Sequence, residues 1–348
     1  YGSDPNEFNG MAPGEVFTWM TWNSSNNEYR DAIVDYDSSM PNTNLYQADG
    51  ISSIISLSNV SEQIINLTDG WNLISTNISP DYPSIGDVLA PIVDNLFLAK
   101  DESGQVFWPQ FNLNNIGDHV VGKAYKLKMN QQSILEVRGA EVDPINYTLT
   151  LVEGWSYLGY LRKSAADAAL VLESIEEDIL LIKDGIGNVY FPEFNVNTIG
   201  NMSPGQGYQI RMTNARDFIY PSNNLVLPEL RRSSSNTMHH YQTPFISEKN
   251  MNVVLPNINL STFAQLGDEF VVKDALGQVI SSSVYIGETI VLTLWIDDEN
   301  IDGKFEVYHW SKEKNLERCL DFIWRDGSSL LVNDAVNIAS NIEFIEIG

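Results

Sequence analysis

Asp298-Glu299-Asn300-Ile301-Asp302-Gly303 spells D-x-N-x-D-G. Alternate oxygen ligands at this spacing can converge on a hard cation, and the glycine permits the turn. Asp298, Asn300 and Asp302 are the candidate metal ligands, and calcium is the candidate ion. An EF-hand would need an acid six residues beyond the glycine, where His309 stands. A sandwich loop is therefore the calcium geometry left, and a polar β-turn is the competing reading. Asp4, Asn6 and Asn9 form a weaker counterpart near the start.

No other constellation points to catalysis. His119, His239, His240 and His309 lack metal-ligand spacing. Cys319 sits in a strand pattern and reads as a small core residue. No nucleophile elbow, P-loop or dinucleotide fingerprint occurs. Gly205-Gln206-Gly207 precedes a strand rather than a helix, so it does not cradle phosphate. Acids are plentiful, but no pair stands out for glycoside hydrolysis. Trp19, Trp22, Trp108, Tyr190 and Trp310 could present a sugar-stacking face, although strand spacing favours packing. Trp71 and Trp155, each after an acid and a glycine, read as core anchors.

The elements that must position these residues repeat. Residues 66–129 return, re-spelled, at 150–212, offset by 83 or 84. Asp69-Gly70-Trp71 is answered by Glu153-Gly154-Trp155. Lys100-Asp101 with Gly104 is answered by Lys183-Asp184 with Gly187. Phe107-Trp108-Pro109-Gln110-Phe111-Asn112 is answered by Tyr190-Phe191-Pro192-Glu193-Phe194-Asn195. What repeats is scaffold chemistry, which suits an array better than an active site. Each unit reads as a bent strand, a short helix, a hairpin and a closing strand. The helices are expected over Val88–Leu96, behind a Ser84/Asp87 capping box, and to about Ile175, behind Ser164/Asp167. The hairpins are 96–100 with 105–109, and 179–183 with 188–192. In the closing strands, Lys126, Lys128, Gln209 and Arg211 should point outward.

A second kind of module surrounds the pair. Strand patterns from Gly267 to Ile347, with a D-x-x-G turn at Asp274–Gly277, suggest a seven- or eight-stranded antiparallel sandwich. The first 58 residues match only its second half. Phe17–Trp22 corresponds to Phe305–Trp310, and Ala48-Asp49-Gly50-Ile51 to Asn333-Asp334-Ala335-Val336. Asn9-Gly10 aligns with Asp302-Gly303, leaving the Ala12–Glu15 turn without a C-terminal counterpart. The expected organisation is 1–60, the second half of a β-sandwich whose first part is absent or supplied in trans; 61–140, repeat A; 141–221, repeat B; 222–250, a linker; and 251–348, a C-terminal β-sandwich. The fold class is mainly β: tandem β-rich repeats, each with one short helix, flanked by antiparallel sandwich modules.

The G-W opening, K-D-x-x-G hairpin, W/F-P-x-F-N segment and G-x-G/A-Y-x-x-x-M strand resemble repeats in large secreted proteins of Bacteroidota. The stretch Gly267-Asp268-Glu269-Phe270-Val271-Val272-Lys273-Asp274, followed by Leu292-Thr293-Leu294-Trp295, resembles a sandwich module of the same proteins. The resemblance implies an adhesin-like, multidomain surface chain exported by type IX secretion, although the sorting domain typical of such exports is not visible.

Composition bounds the rest. The formal net charge is −26, from 46 acidic and 20 basic residues, a surface that repels nucleic acid and anionic membrane. At 43% hydrophobic, each module can bury a core. A single cysteine excludes an intramolecular disulfide. No apolar run reaches the ~18 residues of a membrane span. The start at Tyr1 reads as an interior segment of a longer precursor. The expectation is a non-enzymatic structural or adhesive segment of an extracellular, cell-surface protein, with fibre formation as one form. A carbohydrate-binding accessory region is the alternative. Expected partners are other modules of the precursor, neighbouring subunits and surface glycans.

Overall fold

The computed structural model describes residues 11–24, 27–230, 240–242, 246–297 and 302–345. The chain is mainly β, with 48% of residues in strands and 10% in helix.

The first strands are β1 (Trp19–Asn23), β2 (Glu28–Tyr36) and β3 (Ile54–Leu67). Repeat A adds β4 (Gly70–Ser75), β5 (Ile78–Pro80), β6 (Leu96–Lys100), β7 (Val106–Trp108), β8 (Leu113–Asn114), β9 (Ala124–Met129) and β10 (Ser133–Glu141). Its helix is α1 (Ile85–Val88). Repeat B comprises β11 (Leu149–Leu151), β12 (Gly154–Gly159), β13 (Ala166–Asp167), β14 (Ile179–Lys183), β15 (Val189–Phe191), β16 (Val196–Asn197), β17 (Asn201–Met202), β18 (Gly207–Met212) and β19 (Arg216–Phe218). Its helix is α2 (Ala168–Leu172). The C-terminal module holds β20 (Lys249–Leu255), α3 (Asn257–Leu260), β21 (Glu269–Asp274), β22 (Val279–Val284), β23 (Ile290–Ile296), β24 (Phe305–Ser311), β25 (Leu316–Asp326) and β26 (Val336–Phe344).

The repeat is one topology twice. Repeat A orders its strands β4-β9-β6-β7-β8 and repeat B orders them β12-β18-β14-β15-β16. Register agrees: Trp71 lies opposite Lys128, and Trp155 opposite Arg211. Both sheets carry the same irregularity, at Leu96/Leu98 and Ile179/Leu181. Asn112 and Asn195 end equivalent Pro-x-Phe turns at φ 49° and 51°. Asparagine tolerates that left-handed backbone, which is why the F-N spelling recurs. The Lys-Asp-x-x-Gly turn occurs three times. Asp101, Asp184 and Asp274 each accept through one carboxylate oxygen from backbone N–H groups two and four residues on, at 2.8–3.0 Å. This Asx geometry closes the hairpin without help from outside.

The helices are shorter than the pattern suggested. In repeat A, α1 gives way to a 3-10 turn at Ala90–Ile92. Pro91 has no N–H to continue an α-helix. Neither serine caps: Ser84 makes no side-chain bond, and in repeat B Asp167 accepts from Ala169 N–H at 3.1 Å. Short α2 likewise yields to a 3-10 turn at Glu173–Asp178.

One strand bridges the expected division at residue 60. β3 runs through residue 60, pairing with β2 through residues 54–59 and with β10 through 60–67. The N-terminal half-module therefore shares the sheet β1-β2-β3-β10-β5 with repeat A. The expected linker is short of its range at both ends. Fully buried Arg162 donates to the carbonyls of Pro221, Ser222 and Leu225, and β20 begins at Lys249.

Among the described residues, the C-terminal module has seven strands in one sheet, ordered β22-β21-β24-β25-β26-β20-β23. It is not wholly antiparallel, because β20 runs parallel to β26. β22 and β23 are consecutive in sequence yet lie at opposite ends of that order, so the sheet curls round. All seven strands feed one core, including Val253, Phe270, Ile280, Leu294, Val307, Leu320 and Ala339.

The half-module copies β24–β26 position by position. The bridge Val16–Leu45 matches Lys304–Leu330. Phe17 N–H donates to Asn44 O as Phe305 N–H donates to Ser329 O. Positive φ recurs at Gly14 and Asp302, at Asn27 and Asn315, and at Asp49 and Asp334. Phe17–Trp22 thus corresponds to Phe305–Trp310, as expected. The loop alignment is corrected: Gly14, rather than Asn9, is the counterpart of Asp302. Both donate backbone N–H to the equivalent carbonyl, Tyr46 O or Leu331 O.

Repeats A and B join reciprocally. Ser75 N–H donates to Gly205 O at 3.1 Å, and its repeat counterpart, Gly159 N–H, donates to Gly122 O at 2.8 Å. An added Cβ at Gly207 would sit 2.6 Å from Ala124 Cβ and 2.8 Å from Ile74 O. Backbone cannot recede from it cheaply. Gly207→Ala should destabilise the chain by about 1–3 kcal/mol in denaturant unfolding. Gly86→Ala, whose nearest contact would be Phe107 at 3.4 Å, should be neutral or slightly stabilising.

Candidate functional site

Asp298 and Asn300 lie outside the described residues. Asp302 is exposed, and its backbone takes φ 63°. Its counterpart Gly14 has no side chain, so what the two modules share at that position is a left-handed turn. Among the described residues, no group of three His, Cys, Asp or Glu side chains is gathered for a metal.

The structure disperses the histidines. His119 is buried in repeat A, with Nε2 3.2 Å from Thr76 Oγ1. Burial pushes its pKa down to about 4. His309 is buried in the sandwich core, 2.8 Å from Asp268. Burial pushes its pKa down, against the pull of that carboxylate. His240 stacks on Trp310 at 4.2 Å and 9°. His239 is outside the described residues. Cys319 is half-buried in β25, and burial pushes its thiol up. A nucleophile needs the reverse.

A cleft of about 330 Å³ opens between repeats A and B. Trp71, Asn72, Asn66 and Thr68 line one side, and Asp184, Gly185 and Gln206 the other. Asp184 is its only carboxylate. Burial raises its pKa, and its oxygens already accept from Ile186 N–H and from the Asn188 N–H and amide. One committed acid does not make an acid–base pair. Gly205-Gln206-Gly207 serves the joint here, with Gln206 O accepting from Ser75 Oγ at 2.6 Å. Asn77 Nδ2 also donates to Arg162 O across this joint, at 3.1 Å.

The most elaborate polar geometry lies where repeat B meets the C-terminal module. Lys183, 1% exposed, places Nζ 2.6 Å from Asn250 Oδ1, 3.3 Å from Asp334 Oδ1 and 4.2 Å from the centre of the Trp155 ring. The Trp155 indole N–H donates to Asp334 O at 3.0 Å. Around this lock, Leu181, Val189, Phe191 and Val196 of repeat B pack with Val254, Val336 and Ile338 of the sandwich. Fully burying each such side chain contributes about 1.5–3 kcal/mol. The exposed Arg325–Glu193 pair beside them contributes about 0–1 kcal/mol. The apolar seal therefore holds the joint, and the lock sets its register.

Trp71 and Trp155 are consequently not anchors of their repeat cores. Trp155 sits in the joint, and Trp71 is half-buried with Lys100 and Lys128 each 5.7 Å from its ring centre. Gln209, expected outward, is buried, because the neighbouring module covers that face. In repeat A the matching face is only partly covered, with Phe111 and Leu113 exposed. Lys100 meets Glu248 there at 2.6 Å. Of the sugar-stacking candidates, Tyr190 is buried and Trp108 is packed edge-on by Phe111. Trp22 remains exposed, its ring 4.6 Å from that of Tyr29 across the strand. The lock was missed in sequence; its one signal was a lysine before a turn aspartate that the repeat conserves internally as Lys100.

No protein-family model, no curated protein and no solved structure matches this chain. No helix among the described residues is long and apolar enough to cross a membrane.

Burial pushes the Lys183 ammonium down to about 8, against the attraction of Asp334. The folded state then binds fewer protons than the unfolded one between about pH 8 and 10.5, so stability gains a rising component across that window. Lys183→Met should remove this component. Urea unfolding of both proteins between about pH 7.5 and 9.5 would measure the difference.

Proposed function

We propose that this chain is a non-enzymatic structural or adhesive segment of a secreted, cell-surface protein of the Bacteroidota type, acting as a stiff multi-module spacer. The observation that carries this reading is the joint between repeat B and the sandwich. Lys183, Asn250, Trp155 and Asp334 are committed there to holding one module against the next. The A–B joint adds Tyr157 N–H on Glu102 Oε2 and Tyr160 N–H on Ser75 Oγ. Glu248 does the same between repeat A and the sandwich, with its carbonyl taking Lys126 Nζ at 2.9 Å. Such joints suit a part that presents other modules at fixed spacing. Its natural partners are neighbouring modules and surface ligands.

A second reading, a carbohydrate-binding accessory region, is favoured by one feature. Trp22 and Tyr29 form an exposed aromatic pair, and the equivalent Trp310 ring already accepts a flat partner in His240. Aromatic faces stack on sugars in the same manner. If this reading is right, the chain should bind on a glycan array and Trp22→Ala should abolish binding without changing the melting temperature.

For the structural reading, Trp155→Ala should loosen the joint. Small-angle scattering should show a rigid particle for the parent chain and an extended, flexible one for the variant. The variant should lose about 2–4 kcal/mol of stability, most of it from the C-terminal module. A hydrolase or transferase turnover that disappears on replacing one defined acid would overturn the structural reading.

A further inference from the structure

We infer that the half-module of β1–β3 is the receiving half of a split β-sandwich, and that its partner is a four-strand polypeptide segment with the pattern of Lys249–Ile296. The inference does not depend on the spacer reading. It rests on having the completed module and the open half in one chain.

The correspondence reaches the irregularities. The register break at Asp35/Tyr36 falls where β25 breaks at Ile323/Trp324. Gly50 N–H donates to Gln47 O as Ala335 N–H donates to Val332 O. Each residue of the open half can therefore be compared with one whose surroundings are complete.

The inner faces share backbone and register but carry different side chains, and they differ most in cover. Val307 is 1% exposed, while its counterpart Trp19 is 36% exposed. Ala339 and Ile342 are 2% and 7% exposed, against 37% and 43% for Ile54 and Leu57. In the C-terminal module these positions join one core with Val253 and Leu255 of β20, Phe270 and Val272 of β21, Ile280 of β22, and Leu292 and Leu294 of β23. All of these come from residues 249–296. No described strand supplies their equivalent to β1–β3.

The β1 edge is open along its length, and residues 51–53 have no described strand beside them, although the Asn42 side chain takes the Ile51 N–H. β21 pairs Glu269–Asp274 with Phe305–Trp310, whereas β1 is the outer strand of its sheet. β20 lies parallel to Val336–Ile338, whose counterparts are residues 51–53, with Ile51 62% exposed. An unpaired strand edge beside an apolar face calls for strands, which satisfy backbone and side chains together. The polar groups on that face are already paired: the Trp19 indole donates to Tyr36 Oη at 2.7 Å, and Thr21 Oγ1 to Asn59 Oδ1. What the face lacks is apolar cover, which a glycan would not provide.

The test attaches residues 246–297 through a flexible linker ahead of Tyr1 in the full chain. A second version adds Trp19→Val and Tyr36→Trp, giving the supplied strands two of the side chains they meet in the C-terminal module, at the positions of Val307 and Trp324. Amide hydrogen exchange at Phe17–Trp22 should slow at least about tenfold, and apolar-dye fluorescence should fall by about half. The same segment with Val253→Asp, Val272→Asp and Leu292→Asp should do neither. Exchange in the resident sandwich reports that the chain is folded. The inference is overturned if neither version slows exchange, or if the charged segment protects equally. It is also overturned if a monomer of the unextended chain already protects Phe17–Trp22 as strongly as Phe305–Trp310.

Discussion

The sheet of repeat B is buried on both faces, and most of the molecule follows from that. One face closes over its own core with α2, gathering Leu158, Tyr208 and Ile210. The other is sealed against the sandwich through Leu181, Val189 and Phe191. A strand apolar on both sides has no solvent face, so its few polar side chains must find partners within the protein. Lys183 finds Asn250, Asp334 and the Trp155 ring. A buried cation of this kind adds little net stability, since desolvation opposes its attractions. It does reject other dockings, because any slip would leave the ammonium unpartnered in an apolar seam.

Duplication lets the same scaffold be compared in two surroundings. The turns, bulges and left-handed asparagines of repeats A and B coincide, because those features are set within each repeat. The outer faces have diverged. Repeat B places Phe191 and Val196 where repeat A has Trp108 and Leu113, and only repeat B has a module over them. Sandwich strands show the same contrast. β24–β26 sit under four further strands, while β1–β3 stand with the same backbone and an open face. Local chemistry was copied faithfully in both pairs; cover was not.

Much of the fold was legible along the chain. Repeat period, hairpins, Asp-based turns and the partial match of residues 17–51 to 305–336 all depend on neighbours within a few residues, and all appear in the structure. The helices stop short of their capping spelling because Pro91 and the tendency to 3-10 turns outweigh it. The parallel pairing of β20 with β26 left no trace, since alternation is the same in either strand direction. The roles of Trp71, Trp155 and Gln209 were misjudged for a common reason. Periodicity tells which face a residue lies on, but not what stands opposite that face.

Sequence alone determined the scaffold of each module: its strands, its left-handed turns and its duplication, because these obey steric and hydrogen-bonding rules that act over a few bonds. It also determined the net acidic charge of −26. Tertiary structure alone decided which apolar faces are sealed and which stay open. Burial is a property of pairs of surfaces distant in the chain, and two nearly identical spellings, Lys100 and Lys183 with their turn aspartates, end in different surroundings. One lysine lies in a closed seam and the other at a partly open edge, and the packing of the C-terminal module makes that difference.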